Sequence, residues 1–265
     1  MNDRELSRPG ESSVSPTFRD LTGSYRDSHL DAAKAHDYDA GFWRSGTAKA
    51  INWELEQQLL DLVFDRHLLR RPEHAVDFAC GTGRVLQYLE HRVPTTTGID
   101  VSAEMLKLTG QRCSRSALIR CDVTRGESPD VRGDVDLVTT FRFLLNAEPS
   151  LRADALRWIR SVLSPGGYLV ANFHLNPLSL RGRYLRLRWR GQPVIPMVSP
   201  AEARSLLAAA GFTTVACYGY EYLPYRRDGE SLVAPRLRRR LEGALLDRPR
   251  LAGVGGAFIM AARVD

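Results

Sequence analysis

Ala75-Val76-Asp77-Phe78-Ala79-Cys80-Gly81-Thr82-Gly83-Arg84, followed by Gly98-Ile99-Asp100, decides how this chain folds. The apolar run Ala75, Val76, Phe78 and Ala79 suits a central parallel strand covered on both faces. Gly81 and Gly83 let the backbone turn sharply and approach a ligand with no Cβ in the way. A helix starting just past Gly83 offers unpaired amides. Gly98-Ile99-Asp100 reads as the end of a second strand, which puts an acid where a ribose diol is held in related sheet architectures. Strand, glycine loop, helix, strand and acid together make a nucleoside-binding constellation.

Two details choose between nucleosides. A dinucleotide fingerprint has glycine or alanine at the position of Leu86. Asp77, just before the loop, would oppose a pyrophosphate and suits a ligand bearing an amine or a sulfonium. The segment resembles motif I of the class I S-adenosylmethionine-dependent methyltransferases, and further elements follow in that family's order. Asp100-Val101-Ser102-Ala103-Glu104-Met105-Leu106 resembles its second-strand acid and following helix, with Ser102 as the cap. Cys121-Asp122-Val123 resembles the third-strand end that meets adenine. Asp134 to Thr140 resembles the fourth strand, and Leu163 to Val170 the Pro-Gly-Gly turn and fifth strand.

The resemblance implies S-adenosylmethionine as cofactor. Its binding residues would be Asp77, Ala79, Cys80, Gly81, Gly83, Asp100, Val101, Met105, Cys121, Asp122 and Val123. Tyr25 and Tyr38 would close over it from the amino-terminal side, or serve as ordinary packing aromatics. The implied fold is a Rossmann-like, seven-stranded, mostly parallel α/β sheet with helices on both faces and an antiparallel last strand.

Working outward, 265 residues at 43% hydrophobic content suit one large α/β domain. Residues 1–17 are expected to be a disordered tail and 18–265 a single domain. Within it, 18–70 should form a lid and helix, while 174–198 and 218–235 are insertions on the acceptor side. Thr47 to Arg70 reads as one helix, with Ile51, Leu55, Leu59, Leu62, Val63 and Leu69 near helical spacing. Ser199-Pro200-Ala201-Glu202 predicts a capping box. A helix over Arg236 to Leu246 and last strands over Thr213 to Tyr220 and Ala257 to Val264 complete the pattern.

No apolar run approaches membrane-spanning length. Cys80, Cys113, Cys121 and Cys217 lack metal or redox spacing, so reduced thiols, a cytoplasmic location and no metal are expected. The net charge of +6 comes from 37 Lys+Arg against 31 Asp+Glu, carried almost wholly by arginine. A balance this mild does not demand nucleic acid.

The acceptor side is less legible. Methyl transfer from a sulfonium asks mainly for alignment, so few residue types are required. His174 ends the fifth strand and could act as a base with its unperturbed pKa, or be a hydrogen-bonded strand-end residue. Arg142 could hold an anionic acceptor or pair with Asp136 or Glu148. Tyr218, Tyr220, Tyr222 and Tyr225, near Arg226 and Arg227, could line an acceptor pocket or cover the sheet edge. In Leu180 to Arg190, apolar residues interleave with arginines, and from Leu185 on the alternation suits a strand. Arg186 and Arg188 could bind a phosphate-bearing acceptor. The segment could equally touch an anionic membrane with Trp189 at the interface, or be a solvated lid.

The family's Asn/Asp-Pro-Pro-Tyr/Phe run is absent after the fourth strand, where Thr140-Phe141-Arg142-Phe143-Leu144 stands. A small-molecule, sugar or lipid-like acceptor is therefore expected over nucleic acid, with oxygen ahead of nitrogen as the methylated atom. A homodimer stays open. The rivals are an RNA- or protein-modifying methyltransferase and a non-catalytic S-adenosylmethionine-binding protein of the same fold.

Overall fold

The computed structural model describes residues 47–127, 129, 131, 134–188, 196–225 and 231–265. The expected tail, Tyr25, Tyr38, Trp189, Arg190, Arg226 and Arg227 lie outside these residues.

Alternation of strand and helix builds one sheet from β1 (His74–Phe78), β2 (Thr95–Asp100), β3 (Ala117–Arg120), β4 (Val135–Thr140), β5 (Leu163–His174), β6 (Phe212–Tyr220) and β7 (Ala257–Val264). Their spatial order is β3-β2-β1-β4-β5-β7-β6. β7 runs antiparallel to β5 and to β6, and the other pairs are parallel. The chain therefore leaves β1 toward β2 on one side and enters β4 on the other. A reversal of this kind opens a crevice at the carboxyl ends of the two strands, where open α/β sheets bind ligands.

The helices are α1 (Ala48–Arg66), α2 (Arg84–Glu90), α3 (Ala103–Gly110), α4 (Pro149–Val162), α5 (Leu180–Arg188), α6 (Pro200–Ala209) and α7 (Pro235–Leu246). Period-two alternation sorts the strand residues into two cores. On β5, Tyr168 and Val170 join α1 and α2 residues such as Leu55, Leu59 and Leu89. Leu169, Ala171 and Phe173 join Leu156 and Ile159 of α4 and Leu207 of α6 on the other face.

Helix starts follow the sequence. Thr47 caps α1 by accepting from the Ala50 amide, and Ser102 caps α3 by accepting from Met105. Ser199 and Glu202 form the reciprocal capping box of α6. α1 stops at Arg66 rather than Arg70, because the chain must turn toward β1, where the Arg70 guanidinium and the Glu73 amide bind Asp136.

The strand expected from Leu185 on is overturned: Leu180 to Arg188 is helical. Both sides of β5 are already occupied, by β4 and β7. Ser179 Oγ accepts the Gly182 amide at 3.0 Å and starts the helix. Gly182 also permits close docking, since a Cβ there would lie 2.0 Å from the Asn176 carbonyl oxygen.

Candidate active site

The glycine loop is braced from below. The Gly81 amide donates to Asp100 Oδ2 at 2.8 Å, and Thr109 Oγ1 of α3 donates to the Gly81 carbonyl at 2.7 Å. Arg112 reaches the Thr82 carbonyl at 3.0 Å. Gly83 has φ of 81°, and a Cβ there would meet Thr109 Cγ2 at 2.7 Å, so glycine is required for both reasons. Gly81, with φ of 57°, has open space on its Cβ side. The small residue that a dinucleotide fold places on the helix is found here on the strand. A Cβ on Gly98 would collide with Leu86 Cδ2 at 2.6 Å.

Asp77 and Thr139 face each other across the β1–β4 crevice, and Thr139 Oγ1 donates to Asp77 Oδ1 at 2.7 Å. Asp77 is buried, and its Oδ2 has no hydrogen-bond partner of good geometry within the described residues. Burial, with the Asp100 carboxylate nearby, pushes its carboxyl up to about 7, against the opposing pull of Thr139, Arg84 and the Leu86 backbone amide. Such an orphaned acceptor fits an amino group arriving with a ligand.

Asp100 is buried too, and its carboxylate also has a structural part. Its Oδ1 accepts from the Ser102 amide at 2.9 Å while Oδ2 holds Gly81, so it fixes the loop and the start of α3 together. Ala79 and Cys80 run along the loop, Cys80 being buried with its thiol pushed far up by burial. Met105 is a buried residue of α3, and the Val101 carbonyl accepts from Arg120 Nε. Cys121, Asp122 and Val123 follow β3. The Asp122 amide donates to Glu127 Oε2 at 2.7 Å, and its carboxylate lies 3.5 Å from Arg125. Glu127, which sequence reading passed over, thus orders the turn.

The second half of the site lies at the carboxyl ends of β4, β5 and β6. Its centre is Glu56 of α1, fully buried. Arg84, the residue after the glycine loop, is hydrogen-bonded to Glu56 Oε2. Asn172 Nδ2 and the Tyr220 hydroxyl donate to Oε1 at 3.1 and 2.6 Å, and Arg142 lies at 3.9 Å. Despite its burial, Glu56 is held below the usual carboxylate range by Arg84 and Arg142. Asn172 Oδ1 in turn accepts the Arg142 amide at 2.6 Å. Arg84 also lies over the Trp53 ring at 4.3 Å. One buried carboxylate therefore ties α1, the cofactor-side helix and three strand ends.

Arg142 approaches Glu56 and not Asp136, which is taken by Arg70 at 2.8 Å. His174 ends β5 with its Nδ1 buried and without a partner among the described residues. Burial, helped by Arg142 and Arg181, pushes its imidazole down to about 3. The expected ordinary histidine pKa is not what this environment favours: desolvation and two guanidiniums disfavour the charged ring.

The tyrosines do not form one loop cluster. Tyr218 and Tyr220 are buried within β6, bonded to His67 at 2.7 Å and to Glu56 respectively. Tyr222 folds back along the end of β6, its hydroxyl 2.7 Å from where a Gly219 Cβ would stand. Tyr225 has Arg181 over its ring at 4.4 Å and Arg238 at 5.7 Å. Arg186 and Arg188 are exposed on α5, outside this cluster.

The four non-glycine residues with positive φ among the described residues all follow strand ends. Ala79 (56°) follows β1, Arg142 (63°) β4, Leu175 (72°) β5 and Glu221 (61°) β6. Strain of order 1–3 kcal/mol each persists only where the surroundings enforce it, and it clusters at functional sites.

Residues 75–167 match the family model described as a methyltransferase domain. The fold is shared with SAM-dependent methyltransferases of known structure.

Over 120 residues the chain is 30% identical to a demethylmenaquinone methyltransferase of Tropheryma whipplei, covering 44% of this chain and 48% of that protein. Over 202 residues it is 28% identical to a highly reducing polyketide synthase of Aspergillus terreus, covering 69% of this chain and 8% of the synthase. The chain thus spans about half the length of one such relative and a small part of the other. Among solved structures, it superposes on a Thermotoga maritima SAM-dependent methyltransferase, described as a possible histamine N-methyltransferase. The TM-score is 0.61 at 15% identity, covering 89% of this chain and 99% of that one.

Proposed function

We propose that the chain is an S-adenosylmethionine-dependent methyltransferase acting on an oxygen or nitrogen of a small-molecule acceptor. The observation that carries this is the buried Oδ2 of Asp77, which makes no hydrogen bond of good geometry among the described residues, together with the open side of Gly81, in a domain of methyltransferase type. The residues fit the cofactor. Asp77 would receive its amino group, Asp100 its ribose, and Ala79, Cys80, Gly81 and Gly83 would lie along its methionyl part. Val101, Met105, Cys121, Asp122 and Val123 would surround the adenine side.

When bound, the cofactor supplies a methyl group activated by its sulfonium. The protein's part is alignment and exclusion of water. His174, neutral, offers its Nδ1 lone pair to the proton of an acceptor hydroxyl or amine and so orients the attacking atom. Arg142 adds positive charge beside it and favours an acceptor with an anionic group. Relatives acting on small molecules, such as demethylmenaquinone methyltransferase by its name, support this class of acceptor.

Isothermal titration with S-adenosylmethionine, S-adenosylhomocysteine and NADH, on wild type and Asp100→Ala, tests the reading. Binding of the two sulfur ligands, weakened in the variant and absent for NADH, is expected. A well-folded wild type that binds neither sulfur ligand would overturn it.

A further inference from the structure

Helix α5 buries the wrong side for its composition. Leu180, Tyr184 and Leu187 fall at i, i+4 and i+7, one stripe of a helix. They are 74%, 55% and 70% exposed. Gly182, on the opposite side, is the buried residue, packed against the Asn176 backbone. Asn176 clamps this base by donating to the Gly253 and Gly255 carbonyls, each at 3.0 Å. Leu178, in the turn before the helix, is also exposed. The apolar stripe is therefore presented outward by a rigidly seated helix.

Its charge says what it would meet. The helix reads Leu-Arg-Gly-Arg-Tyr-Leu-Arg-Leu-Arg and contains no acid. At roughly 100° per residue, Arg183 flanks the stripe on one side and Arg181 and Arg188 on the other, with Arg186 beyond Arg183. Arg181 is anchored to Glu221 at 2.8 Å, Arg183 Nε donates to the Leu178 carbonyl at 3.1 Å and Arg186 lies near Glu202 of α6, while Arg183, Arg186 and Arg188 all remain exposed. An apolar stripe bordered by arginines is the pattern of a helix lying in the plane of an anionic membrane surface. Nucleic acid would leave the three apolar side chains in water. A second copy packing stripe to stripe would bring arginines against arginines.

We infer that α5 is a docking helix for an anionic lipid surface. It inserts Leu180, Tyr184 and Leu187 while Arg183 and Arg186 meet the lipid phosphates. α5 begins six residues after His174, the last residue of β5. The inference does not depend on the methyltransferase reading, since it requires neither cofactor nor turnover.

The test is co-sedimentation of the full chain with phosphatidylcholine vesicles and with vesicles of equal parts phosphatidylcholine and phosphatidylglycerol. Wild type should pellet with the anionic vesicles only. Leu180→Gln with Leu187→Gln should lower the vesicle partition coefficient by about tenfold or more, and Arg183→Gln with Arg186→Gln should weaken it and flatten its salt dependence. All four side chains are exposed, so an unchanged melting temperature is expected of both variants. No binding to anionic vesicles, or binding that neither variant changes, would overturn the inference. So would light scattering showing a wild-type dimer that the leucine variant dissociates.

Discussion

The glycine loop and the Glu56 cluster lie on the same edge of the sheet but are built on opposite principles. Around the loop, backbone groups do the holding: Gly81 and Ser102 amides are tied to Asp100, and one carboxylate oxygen, on Asp77, is left for something else. Around Glu56, side chains hold one another, with Arg84, Asn172 and Tyr220 closing on a carboxylate that is 0% exposed. The first arrangement keeps an unsatisfied acceptor in reserve, which costs stability. The second satisfies a buried charge from several elements and fixes their relative positions. The contrast separates a site poised for a ligand from the frame that aligns it.

The largest effect should come from breaking the frame. Glu56→Ala leaves Arg84 buried without its anion and should cost about 3–5 kcal/mol, read as a lower denaturant midpoint. Because Glu56 has a lowered pKa, the stability it contributes is present above the ordinary glutamate pKa and fades as pH falls through the lowered value. The Glu56→Gln variant should therefore lose the acid limb of the wild-type stability profile.

The opposite sign is expected at the poised site. Asp77 is raised to about 7, so its ionised form destabilises the fold increasingly as pH climbs from about 4 toward 7. Asp77→Asn, which keeps an acceptor for Thr139, should stabilise the ligand-free chain by on the order of 2–4 kcal/mol at pH 8, measured by denaturant unfolding. The same variant should bind S-adenosylmethionine about 10–100-fold more weakly, as expected for losing a charge-assisted hydrogen bond. Opposite changes in stability and affinity would sharpen the comparison, whereas parallel losses would break it.

A third consequence is a pH dependence of binding. An amino group on Asp77 must meet the carboxylate, so affinity should fall as pH drops below about 7, by up to tenfold per unit. Calorimetry in buffers of different ionisation enthalpy should detect a proton released on binding near pH 6. Asp77→Asn should abolish both.

The smallest effect belongs to His174→Ala. A neutral ring that orients the acceptor should lower kcat/KM about tenfold, with cofactor affinity unchanged. A much larger fall, together with a pH–rate limb near 6, would restore the general-base role that burial and the neighbouring arginines argue against.

The two regions also differed in how far they could be read from the chain. Gly81, Gly83, Asp77 and Asp100 sit in one contiguous pattern because their constraints are local: turn, cap and strand end. Ser102 and Ser199 were legible as caps for the same reason. The Glu56 cluster joins residues up to 164 positions apart, so no window contains it. A faint signal existed in α1, where Asn52 and Glu56 fall at i and i+4 in line with Leu59 and Val63, polar residues on an otherwise apolar face. The arginine-rich segment misled because alternation favours a strand only where a neighbouring strand is free to pair. β5 had none to offer, and Ser179 with Gly182 began a helix instead.

By itself the sequence determined the order of strands and helices outside the arginine-rich 180–188 segment, the glycine loop with its two acids, and the helix caps, because short-range sterics and hydrogen bonding dictate them. The tertiary structure alone decided that Asp77 is buried with an oxygen that lacks a well-aligned partner, that Glu56 gathers Arg84, Asn172, Tyr220 and Arg142, and that His174 lies buried beside two guanidiniums that lower its pKa. Burial and the meeting of distant charges set those properties, and both exist only once the sheet has brought its strand ends together.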